Sequence, residues 1–466
     1  MIIKFNIKSL FIILTIVVSL AGCGKKDKEQ STQDYLNGEV KMETIHWWGN
    51  YGGSKKFLIE IVNEFNQTIG KEKGIFIQFR NYEGTYYENT IEVACNAGEG
   101  PELIKVNNEI NKFAEIGWIL PIDDMPGGKE FLATHNQDVL LPITHVVEGK
   151  TYRVPITKIS YRVIYNKDLF KKAGIVDENG EAKEPKTWED VREYAKIITE
   201  QGEGVEYGLG VPLKWDYYIT NGIIPQSVAA LGIDQGFNMN TGRYEWSKYK
   251  PVLKILSEIY KEGSWFPGAK WNSNDVVRVQ FAEGKIGMLT AASWDVGVFT
   301  TQFTTDIDWA VVKPLVIDSN KQYKEVLQTG SLVCIGQAAE YKKEKTMEAY
   351  KFIVKAALAK AYETGMHIPY SDDIEGIVIK QPETEQLKSF ANTPNSYFRK
   401  QVPTTALRLE GDDYSEVFTN ILLGKIDIDR GLDDLEKRYN ESLDEAIKEG
   451  LDINLYIDKD FDIKVK

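Results

Sequence analysis

The chain reads as an α/β protein of two α/β units and a helical tail, behind a short N-terminal leader. Three observations predict it. Strand-like apolar runs alternate with helically spaced apolar positions from residue 43, the pattern restarts near Tyr161, and amphipathic helices then succeed one another toward the C-terminus. The 466 residues leave room for two or three domain-sized units with an ample core.

The leader comes first. Lys4 and Lys8 precede an apolar run from Leu10 to Val18, then come Leu20-Ala21-Gly22-Cys23 and a polar, lysine-rich stretch. A basic start, a short apolar core and small residues at its end describe a secretory signal peptide. The run falls short of the roughly 20 apolar residues of a membrane span. A cysteine directly after Leu-Ala-Gly looks like a bacterial lipobox. Residues 1–22 are therefore read as a lipoprotein signal peptide, Cys23 as the lipidated N-terminus, and 23–42 as a flexible tether. Acyl chains contribute about 0.8 kcal/mol per buried methylene toward membrane attachment. An ordinary signal peptide cut nearby, with Cys23 unmodified, is the competing reading.

In the first unit, Glu43–Trp48 reads as a strand stopped at Gly49. Ser54 then opens a helix whose apolar positions are Phe57, Leu58, Ile61, Val62, Phe65 and Ile69. Strands at Ile75–Phe79 and Pro101–Val106 flank a helix over Glu88–Ala97, and a further helix ends at Gly117. Such βαβ repetition implies a mainly parallel sheet covered on both faces. In the second unit Tyr161–Tyr165 is a strand, and Thr187 caps a helix with Glu189 and Asp190 in its first turn. Pro251 suits the start of a helix ending at Gly263. Gly284 closes another helix before a short buried strand, Ile286–Leu289. Helices at Lys343–Ala361, Ser415–Leu423 and Leu432–Ile447 follow, and Leu451–Lys466 shows strand-like alternation.

Composition excludes several functions. The net charge is −13, and removal of residues 1–22 takes away two lysines and leaves −15. So acidic a surface disfavours nucleic acid and anionic lipid as ligands. With Cys23 lipidated, Cys95 and Cys334 remain, both in apolar contexts that suit buried free thiols better than a bridge. No phosphate-cradling glycine motif is present, which speaks against nucleotide use. The histidines His46, His135, His145 and His367 lack zinc-ligand spacing and are read as structural, so no metal or other cofactor is expected. Asp427-Ile428-Asp429-Arg430-Gly431 hints at a calcium loop, but its glycine comes one place early, and it is read as a helix entry. A serine nucleophile elbow is missing. Nothing in the chain demands an enzyme.

Six segments carry a resemblance. They are Ala97-Gly98-Glu99-Gly100-Pro101-Glu102-Leu103-Ile104, Gly117-Trp118-Ile119-Leu120-Pro121-Ile122-Asp123, and Gly149–Pro155 continuing to Ile164–Phe170. After these come Pro185-Lys186-Thr187-Trp188-Glu189-Asp190, Phe281–Met288 ending in Ser293-Trp294, and Leu422-Leu423-Gly424-Lys425. In this order they resemble the extracellular solute-binding proteins of sugar ABC transporters, the family that includes maltose-binding protein. The resemblance runs from about Thr44 to Glu449. It implies a two-lobed, type II periplasmic-binding-protein-like α/β fold with ligand held in the cleft. Lobe 1 would comprise 43–154 and 310–366, lobe 2 155–309 and 367–450, and 451–466 a C-terminal extension. The chain would cross between lobes at Tyr152–Pro155, near Trp309–Pro314 and near His367–Pro369.

A sugar offers an apolar face to aromatic rings and a belt of hydroxyls to carboxylates and amides. In open α/β sheets ligands sit beyond the carboxyl ends of strands. Trp47 and Trp48 end the first strand, with Asn50 just after; neighbours in a strand face opposite ways, so at most one of the two tryptophans is core. The family places contacts in this loop. Asn107 follows the Leu103–Val106 strand. Trp215 and Tyr217 match a loop whose aromatics line the cleft in relatives. Trp294 corresponds to a tryptophan that stacks on the sugar, with Asp295 beside it to accept hydroxyl hydrogens. Ser160 and Tyr161 lie just past the first crossing, Trp265 and Trp271 bracket a turn as rim or packing residues, and Arg399 reads as a solvated surface arginine.

The expectation is a monomeric substrate-binding lipoprotein of an ABC importer, outside the cytoplasm on a bacterial membrane. It would bind a carbohydrate, an oligosaccharide, and deliver it to separate permease subunits. The alternatives are a binding protein for a non-sugar solute and a surface glycoside hydrolase, which would need two carboxylates across its cleft. Replacing Cys23 with alanine should release the protein into the medium or leave the precursor uncut, read by fractionation and immunoblotting. Membrane association untouched by the substitution would refute the lipobox reading.

Overall fold

The computed structural model describes residues 42–82, 86–107, 110–214, 222, 224–229, 233–320, 324–371, 374–459 and 461. Cys23 and the tether lie outside the described residues. Among the described residues no helix is long and apolar enough to cross a membrane. The chain from Glu43 onward forms one compact unit.

The first sheet grows from the first strand. Glu43–Gly49 alternates half-buried and buried residues, and Ile45 and Trp47 point into the core with no exposed surface. It pairs in parallel with Ile75–Asn81 on one side and Leu103–Ile104 on the other. Helix Lys55–Gln67 covers it through Phe57, Leu58, Ile61, Val62 and Phe65, the positions its spacing singles out. The sheet is mainly parallel, as expected, with one strand running against the other four. Cys334–Gly336, contributed by the returning chain, inserts antiparallel between Leu103–Ile104 and Ile119–Leu120. A strand arriving from the far unit enters from the opposite end, so its direction is reversed.

The second sheet runs in the order Trp309–Val311, Tyr161–Asn166, Ile286–Ala292, Tyr207–Gly210. Tyr161–Asn166 is antiparallel to both neighbours, and Ile286–Ala292 is parallel to Tyr207–Gly210. All seven residues of Ile286–Ala292 are buried. It runs three residues beyond the expected end at Leu289, because the partner strand at Tyr161–Arg162 offers ladder bonds to Ala291 and Ala292. The two faces of the sheet feed different apolar clusters. Tyr161, Val163, Tyr165 and Met288 belong to one, Ile164, Leu289 and Ala291 to the other.

The local signals hold where side chains dictate backbone. Thr187 and Asp190 form a reciprocal capping box on helix Trp188–Gln201. Asp427 caps helix Ile428–Lys448, which starts a turn before the expected Leu432, and the supposed calcium loop is a helix entry. Ser54, by contrast, opens its helix without capping it. Cys95 and Cys334 are free and buried, and burial pushes both thiols up to about 11. Of the expected strand-like stretch Leu451–Lys466, the described part from Leu451 to Lys459 is not a strand: Ile453–Leu455 is a 3₁₀ turn, Tyr456 is buried in the second cluster, and the Asp458 N–H donates to the Met239 carbonyl at 2.9 Å.

Between the two sheets lies a third, ordered Ile368–Pro369, Thr157–Ile159, Glu325–Gly330, Ser396–Phe398. The return expected near Trp309–Pro314 is made later. Trp309–Val311 is an edge strand of the second sheet, and Gln328–Gly330 pairs antiparallel with Thr157–Ile159. Gly330 leaves room for the Thr157 hydroxyl oxygen, which would stand 2.2 Å from a Cβ there and would have to turn away. Glu325, at the head of the returning strand, meets Arg162 of the second sheet in a bidentate pair at 3.0 and 2.6 Å, with side chains 3% and 5% exposed. The Ser160 hydroxyl also donates to Glu325, and Arg162 donates to the carbonyls of Ser389 at 2.7 Å and Asn392 at 3.1 Å.

Removing one partner of a buried pair leaves the other charge uncompensated. Glu325→Ala should therefore cost roughly 3–5 kcal/mol, measured by urea unfolding. Arg162→Met combined with Glu325→Leu should cost much less than either single change. A loss under about 1 kcal/mol for the single variant, the range of an exposed pair, would contradict the role assigned to this contact.

Candidate functional site

The site is built where strand ends and the connecting sheet meet. Ser54 comes from the turn after the first strand, and Thr157, Lys158 and Ile159 from the connecting strand. Trp294 follows Ile286–Ala292, and Met366 and His367 precede Ile368–Pro369; together they line a cavity of about 200 Å³. A larger hollow of about 400 Å³ lies on the outer face of helix Ile428–Lys448, lined by charged residues including the Arg243–Asp444 surface ion pair.

The cavity's walls are tightly placed. A Cβ on Gly53 would stand 2.8 Å from the Met366 Cε, and one on Gly297 2.3 Å from its Cγ. Met366 thus fills the space between the two glycines, one in the turn after the first strand and one in helix Asp295–Thr301. The hydroxyl that Ser54 withholds from its helix lies 3.0 Å from His367 Nε2. Burial pushes the His367 imidazole down to about 4, so the ring is neutral near pH 7. Phe57 packs on it with centroids 5.5 Å apart. Lys158 donates to the Thr393 hydroxyl at 3.1 Å.

Of the residues singled out in the sequence, Trp294 lines this cavity. Its indole is half-buried and meets Tyr161 edge-on, with ring centroids 5.7 Å apart. Asp295, beside it, is 2% exposed and already committed: Arg278 donates to one oxygen at 2.9 and 2.6 Å, and the Ala292 N–H to the other at 2.8 Å. Its carboxylate fixes the turn that presents Trp294. Trp47 is the core member of its pair, wholly buried, with its indole N–H donating to the Tyr51 hydroxyl at 2.7 Å. Trp48 is half-buried against Tyr82 and Arg80, each 5.7 Å from its ring centroid. The Asn50 carbonyl accepts from the Lys105 ammonium. Asn107 donates to Glu88 at 2.9 Å, while its carbonyl and that of Val106 accept from buried Arg153 at 3.1 and 2.6 Å. Trp215 and Tyr217 lie outside the described residues.

Several neighbours went unremarked in the sequence. Lys105 stands 5.0 Å above the Tyr51 ring, and burial, opposed by nearby Glu88, holds its ammonium down to about 8. Tyr51 donates to the Leu332 carbonyl at 2.6 Å, tying the loop after the first strand to the returning chain. Arg399 is no solvated surface arginine: its side chain is 11% exposed and pairs with wholly buried Asp234 at 2.5 Å. The histidines are placed by structure. His145 accepts from the Leu141 N–H through Nδ1 at 3.0 Å, leaving its Nε2 to donate to the Thr329 hydroxyl at 3.2 Å.

The arrangement, strand ends meeting at a cavity beside a connecting sheet, has counterparts among known proteins. The model of the family described as bacterial extracellular solute-binding protein matches residues 49–363, more than half of the chain. The chain belongs to that family. A binding protein of Brucella abortus (strain 2308) is 26% identical over 259 residues, covering 55% of this chain and 58% of that protein. The chain thus spans little more than half the length of that relative. The sn-glycerol-3-phosphate-binding periplasmic protein UgpB of Brucella melitensis is 23% identical over 426 residues, 87% of this chain and 94% of that protein. Among solved structures, apo RafE of Streptococcus pneumoniae superposes with a TM-score of 0.65 at 17% identity, covering 87% of this chain and 100% of RafE. Lmo0181 of Listeria monocytogenes, solved with cycloalternan, gives 0.63 at 18% identity, over 86% and 99% of the two chains. At such identities the structures establish the two-lobed solute-binding fold.

Trp294→Ala should lower solute affinity about 5- to 150-fold, the loss of a stacking aromatic worth on the order of 1–3 kcal/mol. Were the ring only core, truncation would cost roughly 3–5 kcal/mol of stability and leave affinity intact. Calorimetry paired with the unfolding midpoint separates the two outcomes.

Proposed function

We propose that this solute-binding protein serves an ABC importer, that it is held to the membrane through Cys23, and that its solute is a carbohydrate, an oligosaccharide gripped between the two lobes. The observation that carries the reading is Trp294. It is an aromatic ring at the carboxyl end of a buried strand, its turn locked by Asp295 and Arg278, its side chain bordering a cavity that both units wall. A half-buried indole beside hydroxyl and amino groups from Ser54 and Lys158 suits a ring with one apolar face and a rim of hydroxyls. RafE has been solved with raffinose and Lmo0181 with cycloalternan, both carbohydrates. Solute would draw the lobes together about the connecting sheet, and the closed form would be the one a permease receives.

A second reading, a polyol phosphate, is favoured by the Lys158 side chain at the cavity and by the likeness to UgpB. Purified protein should be screened against an oligosaccharide panel together with sn-glycerol 3-phosphate. The cognate solute should stabilise the fold by roughly 2.7 kcal/mol at a hundred times Kd, reduce the radius of gyration in small-angle scattering, and be recovered unchanged. Stabilisation by the phosphate ester alone selects the second reading. Appearance of shorter sugars in the incubation selects a glycoside hydrolase and sinks both.

A further inference from the structure

We infer that the carbohydrate site extends past the cavity, across the strand ends of the second lobe, to an outer platform at Trp271. This rests on the carbohydrate reading above and adds the length of the solute and the residue that senses it.

The enclosed cavity is small. Its volume of about 200 Å³ lies below the roughly 300–1,000 Å³ usual for sites that enclose a drug-sized ligand. It has room for one sugar ring, so further rings of an oligosaccharide must lie along its mouth. The sheet shows where that mouth leads. Tyr207–Gly210 runs parallel to Ile286–Ala292, so both strands end on the side that carries Trp294. The 264–272 segment continues the sheet beyond Tyr207–Gly210. Leu209 donates to the Ser264 carbonyl at 2.9 Å and accepts from Phe266 at 2.8 Å in a parallel bridge. Leu213 then donates to Ala269 at 2.9 Å and Lys214 to Asn272 at 3.4 Å. Trp271 therefore stands past the same end of the sheet as Trp294. Their backbone tracks are two strand spacings apart, roughly 10 Å.

Trp271 is built as a fixed ring in solvent. Its side chain is 76% exposed, whereas Trp265, at the start of the same segment, is buried. The turn beneath it is rigid: the N–H groups of Trp271 and Asn272 both donate to the Gly268 carbonyl, at 2.8 and 3.0 Å, and the Asn272 amide donates to Pro267 at 2.8 Å. Gly268 supplies the positive φ of 81° that the turn needs. The Lys270 ammonium lies 5.7 Å from the ring centroid, within cation–π range. A large aromatic held out on a stiff turn loses little conformational freedom on binding, and past the strand ends it offers a face to the apolar side of another sugar ring.

The test is a chain-length series read by calorimetry on wild type and Trp271→Ala. Suitable probes are glucose to maltohexaose, xylose to xylohexaose, and galactose to stachyose. The platform predicts monosaccharide affinity unchanged within about twofold, and a loss of about 5- to 50-fold for the longer members of the series that binds. Trp271→Phe should recover most of that loss, and the unfolding midpoint should stay at the wild-type value. Equal affinity of variant and wild type at every length overturns the platform and leaves the carbohydrate reading standing. An equal loss at every length, monosaccharide included, or a fall in the midpoint that accounts for the loss, also overturns it. A wild type that binds no member of any series overturns the carbohydrate reading and the platform together.

Discussion

The ion pair between Arg162 and Glu325 holds the architecture in register. The connecting strands pair over three residues, Thr157–Ile159 against Gln328–Gly330, too few ladder bonds to resist slippage by themselves. Glu325 lies three residues before Gln328 and Arg162 three residues after Ile159, so the pair pins the ladder from just outside it. Charges buried this far from water tolerate one geometry, because any shift leaves a desolvated group without its partner. Arg162 also takes the Ser389 and Asn392 carbonyls, so one guanidinium ties three distant stretches of chain together. The second sheet, the returning strand and the segment leading to Ser396–Phe398 are thereby set as one body. That body determines where Trp294 and Met366 stand relative to Ser54.

A second buried carboxylate does similar work in the first unit. Glu102 accepts from the His46 N–H at 2.8 Å and from Lys342 at 2.5 Å, and Lys342 also reaches the Thr44 carbonyl at 2.9 Å. Burial raises its proton affinity, but the bonds from His46 and Lys342 outweigh this and hold the carboxyl down to about 2. The first strand, the entry to Leu103–Ile104 and the start of helix Lys343–Ala359 converge on this carboxylate.

Elements whose identity is written in local chemistry were legible from the sequence. The Thr187 capping box, the Asp427 helix entry, the apolar stripe of Lys55–Gln67 and the free buried thiols all follow from neighbours within a few residues. What escaped was set by pairing between remote segments. Cys334–Gly336 reverses direction within the first sheet because it arrives from the other unit. The return crossing lies at Glu325–Gly330 and not near Trp309, because Trp309–Val311 finds a ladder partner in Tyr161–Asn166 first. The site divides in the same way. Trp294 was readable from its place after a glycine-closed helix and a buried strand. Asp295 beside it has a carboxylate spoken for by Arg278, seventeen positions upstream, and no periodicity exposes that. His367 and Met366 join the cavity only through Ser54, Gly53 and Gly297, whose partnership is purely spatial.

The C-terminal strap has a consequence for the order in which the molecule can assemble. The second apolar cluster is closed by Val417, Phe418, Leu432, Leu435, Tyr439 and Tyr456, and the Asp458 N–H fastens onto Met239 more than two hundred residues upstream. The first sheet likewise waits for Cys334 before Leu103–Ile104 and Ile119–Leu120 have the strand between them. The first sheet therefore cannot be completed before Cys334–Gly336 is available, nor the second apolar cluster before the stretch from Val417 to Asp458. Contacts of such long sequence separation slow the final collapse. Both units thus close late, each on a segment remote in sequence from the strands and helices it completes.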